Sequence, residues 1–465
     1  MSRHAQYCKG DKSFPIKISM LSQTLDERFK SEIISSLRND SIGALCERDE
    51  AILRFGNYLF KGKKMDPSKA VENRKSVRNQ MRQLARLYIQ FTLTNPLQKY
   101  FNIIDMFNKD NFSSLLKSIE ELSTGDKLKP GLKLSLYYCI LSAAKYFHVE
   151  FLQHDELDKA EMLQKFISVL KINEKIHFMD ARLDIDLTRQ RTLRKPSELP
   201  LSSDLDVLKK YLRQTIKDIS SRSKQTEINV SEYINLRNCL CSRLTLLNGR
   251  RGGEAARLLT KDFQEGCTNQ WIDSNHYQKL DPLERQLVDQ VKICYQTGKG
   301  NKRLVPLLIP NECLNGMEIL LNERYRTSAC ISKDNPFLFA PTNTAKKNLH
   351  GHISGWHVLK EVCKSLSLSS ASSINATKNR HYVSTIYATL HVADPKERQY
   401  FFDHMGHAEE MNKNNYQCPP AIMAITKVGK HLLGIDNCEL LLTNTIVLEC
   451  YNLLFFFLSL SLSLS

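Results

Sequence analysis

Residues 404–416 read HMGHAEEMNKNNY, and they become informative beside three earlier stretches: NGRRGGEAARLLTKDF from Asn248, YQTGKGNKRLVPL from Tyr295 and NATKNRHYVST from Asn375. Singly, each has a plain explanation. An Arg beside glycines is usually a surface turn, GKGNKR suits a hairpin turn, and a Gly-His pair is common. Their joint order carries the signal. The surrounding pattern predicts a helix through Tyr233, Leu236, Leu240 and Leu244, then short strands over 292–295 and 303–309 on either side of the Gly-rich turn. Helical patterns resume over 313–325, 355–366, 380–390 and 421–433. The C-terminal half is therefore expected to be mainly α with a small β-sheet.

Upstream, SSRSKQT at 220–226 has no apolar periodicity and reads as a linker between two halves. Before it, helices are expected over 131–147 and 205–219. Over 71–91, Val77, Met81, Leu84 and Tyr88 mark an apolar face, while Arg74, Arg78, Arg82 and Arg86 recur every four residues. Such an arginine stripe can follow a phosphate backbone or can be a solvated face. The chain thus divides into an N-terminal segment, 1–65, expected to be partly disordered; a helical half, 66–222; a domain that carries the four stretches, 227–436; and a low-complexity apolar tail, 440–465. The tail, a Leu-Ser alternation after an apolar run, reads as a translated simple repeat in preference to a membrane anchor or a packing strand. No repeat of 20–50 residues is expected.

At 465 residues two or three domains are expected, and 42% hydrophobic with 25% charged residues is the balance of a folded, soluble protein. A net charge of +16 and a pI near 9.2 favour a polyanionic partner, although basic surfaces also arise without one. Thirteen cysteines without a CxxC pair point to reduced thiols and to no zinc site. The N-terminus shows no secretory signal, so the expected location is intracellular, and Lys61, Lys63 and Lys64 suit part of a nuclear import signal.

Metal-free cleavage of a phosphodiester needs a nucleophile, a proton donor for the leaving oxygen, and donors around the crowded phosphorus. Arg251 and Arg380 suit a bidentate clamp, Lys299 a general acid on the turn, His407 a further donor and Tyr416 the nucleophile. A phenol ionises near pH 10, so a phenolate nucleophile needs cations beside it.

These segments, in this order, resemble the catalytic domain of the tyrosine recombinases, or phage-integrase family. Gly249, Arg251 and Glu254 fill a Gly-x-Arg-x-x-Glu motif, Lys299 matches the hairpin lysine, and Gly406, His407 and Tyr416 match the closing Gly-His…Tyr pattern. The His-x-x-Arg box keeps Arg380 but carries Thr377 in place of its histidine, beside Lys378. The Thr-Lys-x-Arg form is similar to that of Crypton-type transposon recombinases of animal genomes. The resemblance spans about 248–431 and implies that 227–436 is a tyrosine-recombinase catalytic domain and 66–222 a helical, core-binding-like DNA-binding half. It further implies a 3′-phosphotyrosyl intermediate, paired strand exchange on double-stranded DNA within a homotetramer, and nuclear DNA recombination or integration without metal, nucleotide or other cofactor. Lys302 and Lys378 join the arginine stripe as expected DNA contacts. Two alternatives remain open: a transposon-derived DNA-binding protein without recombinase activity, which Thr377 favours, and a type IB topoisomerase-like enzyme. A metal-dependent nuclease would need carboxylates spaced around His404 and His407, and neither GNYLFKGKK nor GKGNKR forms a P-loop.

Overall fold

The computed structural model describes residues 25–63, 67–96, 102–125, 129–298, 304–342, 351–390 and 394–436. Lys299, Lys302 and the 440–465 tail lie outside them. The described chain is mostly helical with one two-stranded antiparallel sheet. Its apolar side chains form two separate cores.

The first core is wholly helical: α1 (Glu27–Glu32), α2 (Ser41–Arg48), α3 (Glu50–Gly62), α4 (Ala70–Thr94), α5 (Phe112–Ser123), α6 (Pro130–Gln153), α7 (Leu157–Ile172), α8 (Glu174–His177) and α9 (Met179–Arg191). Asp40 and Asp49 cap α2 and α3 by accepting from the Gly43 and Ile52 amides, and Pro130 occupies the first turn of α6, where no amide is needed. Val77, Met81 and Leu84 of α4 are buried as their spacing predicts and Tyr88 is half-buried beside them, among phenylalanines of α1, α3, α6 and α7. Of the N-terminal segment 1–65, expected to be partly disordered, the described residues 25–63 are folded into helices. Phe29, Ile33, Ile52 and Phe55 are buried there, and apolar contact of that kind is what orders a segment.

The arginine stripe explains how α1 and α2 are held. Arg74, Arg78 and Arg82 reach Glu32, Ser36 and Asp40, so two rows with a four-residue repeat meet in register. Arg82 grips Asp40 with two hydrogen bonds of 2.9 and 2.6 Å and holds its carboxyl down at about 2. Only Arg86 is left exposed among the four.

Around the second core run α10 (Ser202–Arg222), α11 (Val230–Leu247), α12 (Gly252–Ala256), α13 (Thr260–Cys267), α14 (Ser274–Lys279), α15 (Pro282–Gln290), β1 (Val291–Thr297), β2 (Leu304–Pro310), α16 (Asn311–Leu321), α17 (Glu323–Ser328), α18 (Gly355–Lys364) and α19 (Ala376–Thr389), of which α14 and α15 bury no residue. The strands pair from Val291↔Pro310 to Thr297↔Leu304, leaving 298–303 to link them. Beyond lie α20 (Pro395–Met405), α21 (Glu409–Asn415), α22 (Ala421–Met423), a π-helical stretch (Ala424–Gly429) and α23 (Lys430–Asp436). Among the described residues no helix is long and apolar enough to cross a membrane.

The expected linker at 220–226 is corrected. Ser220, Ser221 and Arg222 finish α10, and Leu205, Leu208, Leu212 and Ile216 of that helix are buried in the second core. The change of core falls between Phe178 and Leu205, because the apolar stripe of α10 outweighs the polar residues at its end. A chain beginning at residue 193 should therefore melt cooperatively, whereas one beginning at 227 should lose most of its stability, since truncating even one buried leucine costs roughly 2–5 kcal/mol. Circular dichroism melts compare the two, and equal midpoints would move the boundary back to 220–226.

Candidate active site

The site begins where α11 stops. Asn248 caps the helix, and Gly249 follows in the left-handed region at φ 57°, a turn that favours glycine. The Asn248 side-chain amide donates to the carbonyls of Leu244 and Leu308, both at 2.9 Å, and its Oδ1 accepts from the Leu308 amide at 2.8 Å. Its own carbonyl is 3.0 Å from Nε2 of His404 on α20. One asparagine thus ties the turn to β2 and to the segment before Tyr416.

The two arginines of the turn have different tasks. Arg250 is buried and donates to the Pro306 carbonyl at 2.8 Å, bracing the hairpin. Arg251, at the start of α12, is partly exposed and lies 3.1 Å from Oε1 of Glu254. Burial opposes its charge, but Glu254 and Tyr416 outweigh burial and raise its pKa.

Arg380 arrives from α19, which Asn375 caps by accepting from the Lys378 amide. Asn379 donates to the Leu246 carbonyl at 3.0 Å, fixing α19 against the end of α11. Arg380 is 2% exposed; it donates to the carbonyl of Gly249 at 3.3 Å and to that of Met405, while its Nε has no hydrogen-bond partner.

Tyr416 closes the arrangement. Asp394 and Pro395 start α20, and Gly406 ends it at φ 75°, so the chain reverses at His407 and runs through α21 to Tyr416. Asn412, buried in α21, donates to Ser384 Oγ at 3.1 Å and accepts through its carbonyl from the Tyr416 amide at 2.9 Å. The Tyr416 ring stacks on His407 with centroids 4.8 Å apart and planes 12° from parallel. His381 lies tilted against it at 5.1 Å, and the Arg380 guanidinium sits 4.9 Å from the ring centroid.

Three histidines around this cluster are held neutral. Burial, reinforced by Arg380 and Arg251, pulls His407 down to about 4; burial with Arg250 and Arg380 does the same to His404, and burial with Arg380, Arg194 and Arg189 to His381. His407 is 9% exposed and neither ring nitrogen has a hydrogen-bond partner. Buried donors without acceptors are uncommon, and here Arg380 Nε and the His407 ring gather beside one tyrosine.

Of the expected residues, the structure brings Arg251, Arg380, His407 and Tyr416 together, while Lys299 lies outside the described residues. Thr377 is exposed in the first turn of α19, and Lys378 is engaged with Glu198 at 2.9 Å. Sequence reading missed His381, Asn248, Asn379 and Asn412. His381 was within reach, because it follows Arg380 and lies four residues after Thr377 on one helical face; the asparagines each bond to a group on a distant segment and leave no local pattern.

Among the described residues no group of three or more His, Cys, Asp or Glu side chains is placed to hold a metal ion, and the cysteines are free thiols. The histidines give a pH signature. Between their ordinary value of 6.5 and about 4 the unfolded chain takes up protons that the folded chain refuses, so their contribution to stability is complete above pH 6.5 and is lost as pH falls towards 4. Thermal melts across that range should show the loss, and His404→Gln should make the profile shallower; an unaltered slope would remove His404 from this account. No protein-family model, curated protein or solved structure matches this chain.

Proposed function

We propose that the protein is a tyrosine-type DNA strand transferase, acting in recombination or integration of double-stranded DNA. The observation that supports this reading is the convergence of Arg251, Arg380 and His407, from three separate segments, on Tyr416, with buried donors on Arg380 and His407 left unpartnered. Those are the groups that a phosphodiester with accumulating negative charge would engage. The resemblance read from the four motifs adds the order of these residues along the chain.

In this reading Tyr416 Oη attacks the scissile phosphorus, the bond to the 5′ oxygen breaks, and a 3′-phosphotyrosyl link forms. The phenolic proton passes to a neutral acceptor, for which the flanking histidines are available, and the leaving 5′ oxygen takes a proton from a general acid, the role that the resemblance assigns to Lys299. A 5′-hydroxyl then attacks the phosphotyrosyl link, restoring the phosphodiester and freeing Tyr416. Two guanidinium groups and His407 stabilise the pentacoordinate phosphorus in both steps. A homotetramer and a nuclear location belong to the same reading.

Nicked suicide duplexes provide the test. Wild-type protein should form a covalent protein–DNA adduct that Tyr416→Phe abolishes, and Arg251→Lys should reduce its rate by about 10²-fold or more while binding persists. Binding without any wild-type adduct would sink the catalytic reading and leave a DNA-binding protein. Glu72 of α4 lies 3.2 Å from His352 and 3.5 Å from Arg257, close to the start of α12; burial opposes its charge, but His352 and Arg257 hold its carboxyl below the usual range. Removing that negative charge with Glu72→Gln should tighten duplex binding in an anisotropy titration, and weaker binding would count against a DNA path past α12.

A further inference from the structure

A second cationic surface lies on the outer side of the second core, built from residues that contribute nothing to the Tyr416 site. It is a groove of about 640 Å³ between α10 and the start of α16, and every lining residue is polar or charged. Lys209, Lys210, Arg213 and Lys217 form its α10 wall, while Asn311 and Asn315 stand on the α16 side.

The charges do not cancel. Asp206 lies 3.7 Å from Lys209, and Glu312 takes both the buried Arg243 at 2.8 Å and Arg213 at 3.4 Å. Lys210 and Lys217 are exposed and have no acidic partner among the described residues. Pro310 gives α16 no side-chain cap, and Asn311 and Glu312 of its first turn line the groove, so the positive end of that helix dipole lies beside it. In the floor, Ser220 is 6% exposed and its hydroxyl has no hydrogen-bond partner.

Spacing narrows the occupant. Lys209, Arg213 and Lys217 are four residues apart, and a rise of 1.5 Å per residue sets them about 6 Å apart along the helix. That repeat is on the scale of successive phosphates along a nucleic-acid strand, and the charged groups at the groove's rim suit an anion. We infer that this groove takes the phosphate backbone of a duplex DNA segment other than the one held at Tyr416. The choice of DNA as occupant rests on the strand-transfer reading above, in which two duplexes must be held at once; the cationic groove itself does not.

The test uses the full chain with Lys210→Ala and Lys217→Ala combined, both exposed and unpaired, so that melting should match wild type. In salt titrations of a fluorescent duplex, the slope of log affinity against log salt should fall by about 1.8, as expected for two lost phosphate contacts. Adduct yield on a short suicide duplex should stay at the wild-type level. An unchanged salt slope overturns the inference, and so does loss of the adduct, which would place these lysines on the duplex being cleaved. Tripolyphosphate binding that depends on the two lysines while duplex binding does not would show a small-anion site and overturn it as well. If wild type forms no adduct but the slope still depends on Lys210 and Lys217, the strand-transfer reading fails and the groove remains a DNA contact.

Discussion

The buried guanidinium of Arg380 is the constraint on which the candidate site depends. At 2% exposure it has lost nearly all contact with water, a loss worth several kcal/mol unless its donors find acceptors. It finds them in the carbonyls of Gly249 and Met405, which belong to the segments bearing Arg251 and His407. The π face of Tyr416 supplies further compensation. One cation therefore cross-links the parts that it would also serve chemically. A lysine would serve less well, because its three N–H donors diverge from one nitrogen, whereas the guanidinium spreads its donors over three nitrogens in one plane and so spans two separate carbonyls.

Electrostatics then shape what surrounds Tyr416. Two guanidinium groups and three neutral imidazoles form a region that is positive but does not accumulate further positive charge. Burial and the arginines hold the histidines neutral, so proton acceptors coexist with cations. An anion entering between Arg251 and Arg380 would reverse the local field and favour a protonated His407. Binding of a phosphate would thus be coupled to uptake of a proton beside Tyr416, which in the proposed reading leaves His381 as the neutral acceptor for the phenolic proton.

The parts of this arrangement that sequence reveals are those that use uncommon residues in local patterns. Gly249 and Gly406 mark left-handed turns, and each delivers a charged or titratable side chain within two residues. The hairpin follows from two short apolar runs around a Gly-rich turn. What stayed hidden depends on distant partners. Asn248 is unremarkable until Leu308 and His404 are beside it, and the arginines of α4 read as a solvent-facing or DNA-facing stripe until Glu32 and Asp40, 42 residues earlier, are placed against them. The misplaced linker has the same origin: composition at 220–226 is polar, but the preceding four turns of α10 are committed to the second core.

Access for DNA can be judged from the contacts that join the two cores. On one side Glu72 meets Arg257 and His352, Ser68 meets Thr297, and Lys69 donates to the Gly298 carbonyl. On the other, Glu198 holds Lys378, and Arg194 donates to the carbonyls of Lys413 and Gln417 on either side of Tyr416. These are mostly polar contacts at partly exposed positions, the kind worth about 0–1 kcal/mol each. Duplex DNA offers lysines and arginines phosphate partners together with release of condensed counterions, a larger return per cation at moderate salt. In the strand-transfer reading proposed above, a duplex would displace Glu198 from Lys378 at small cost and free that ammonium for a phosphate of the bound strand.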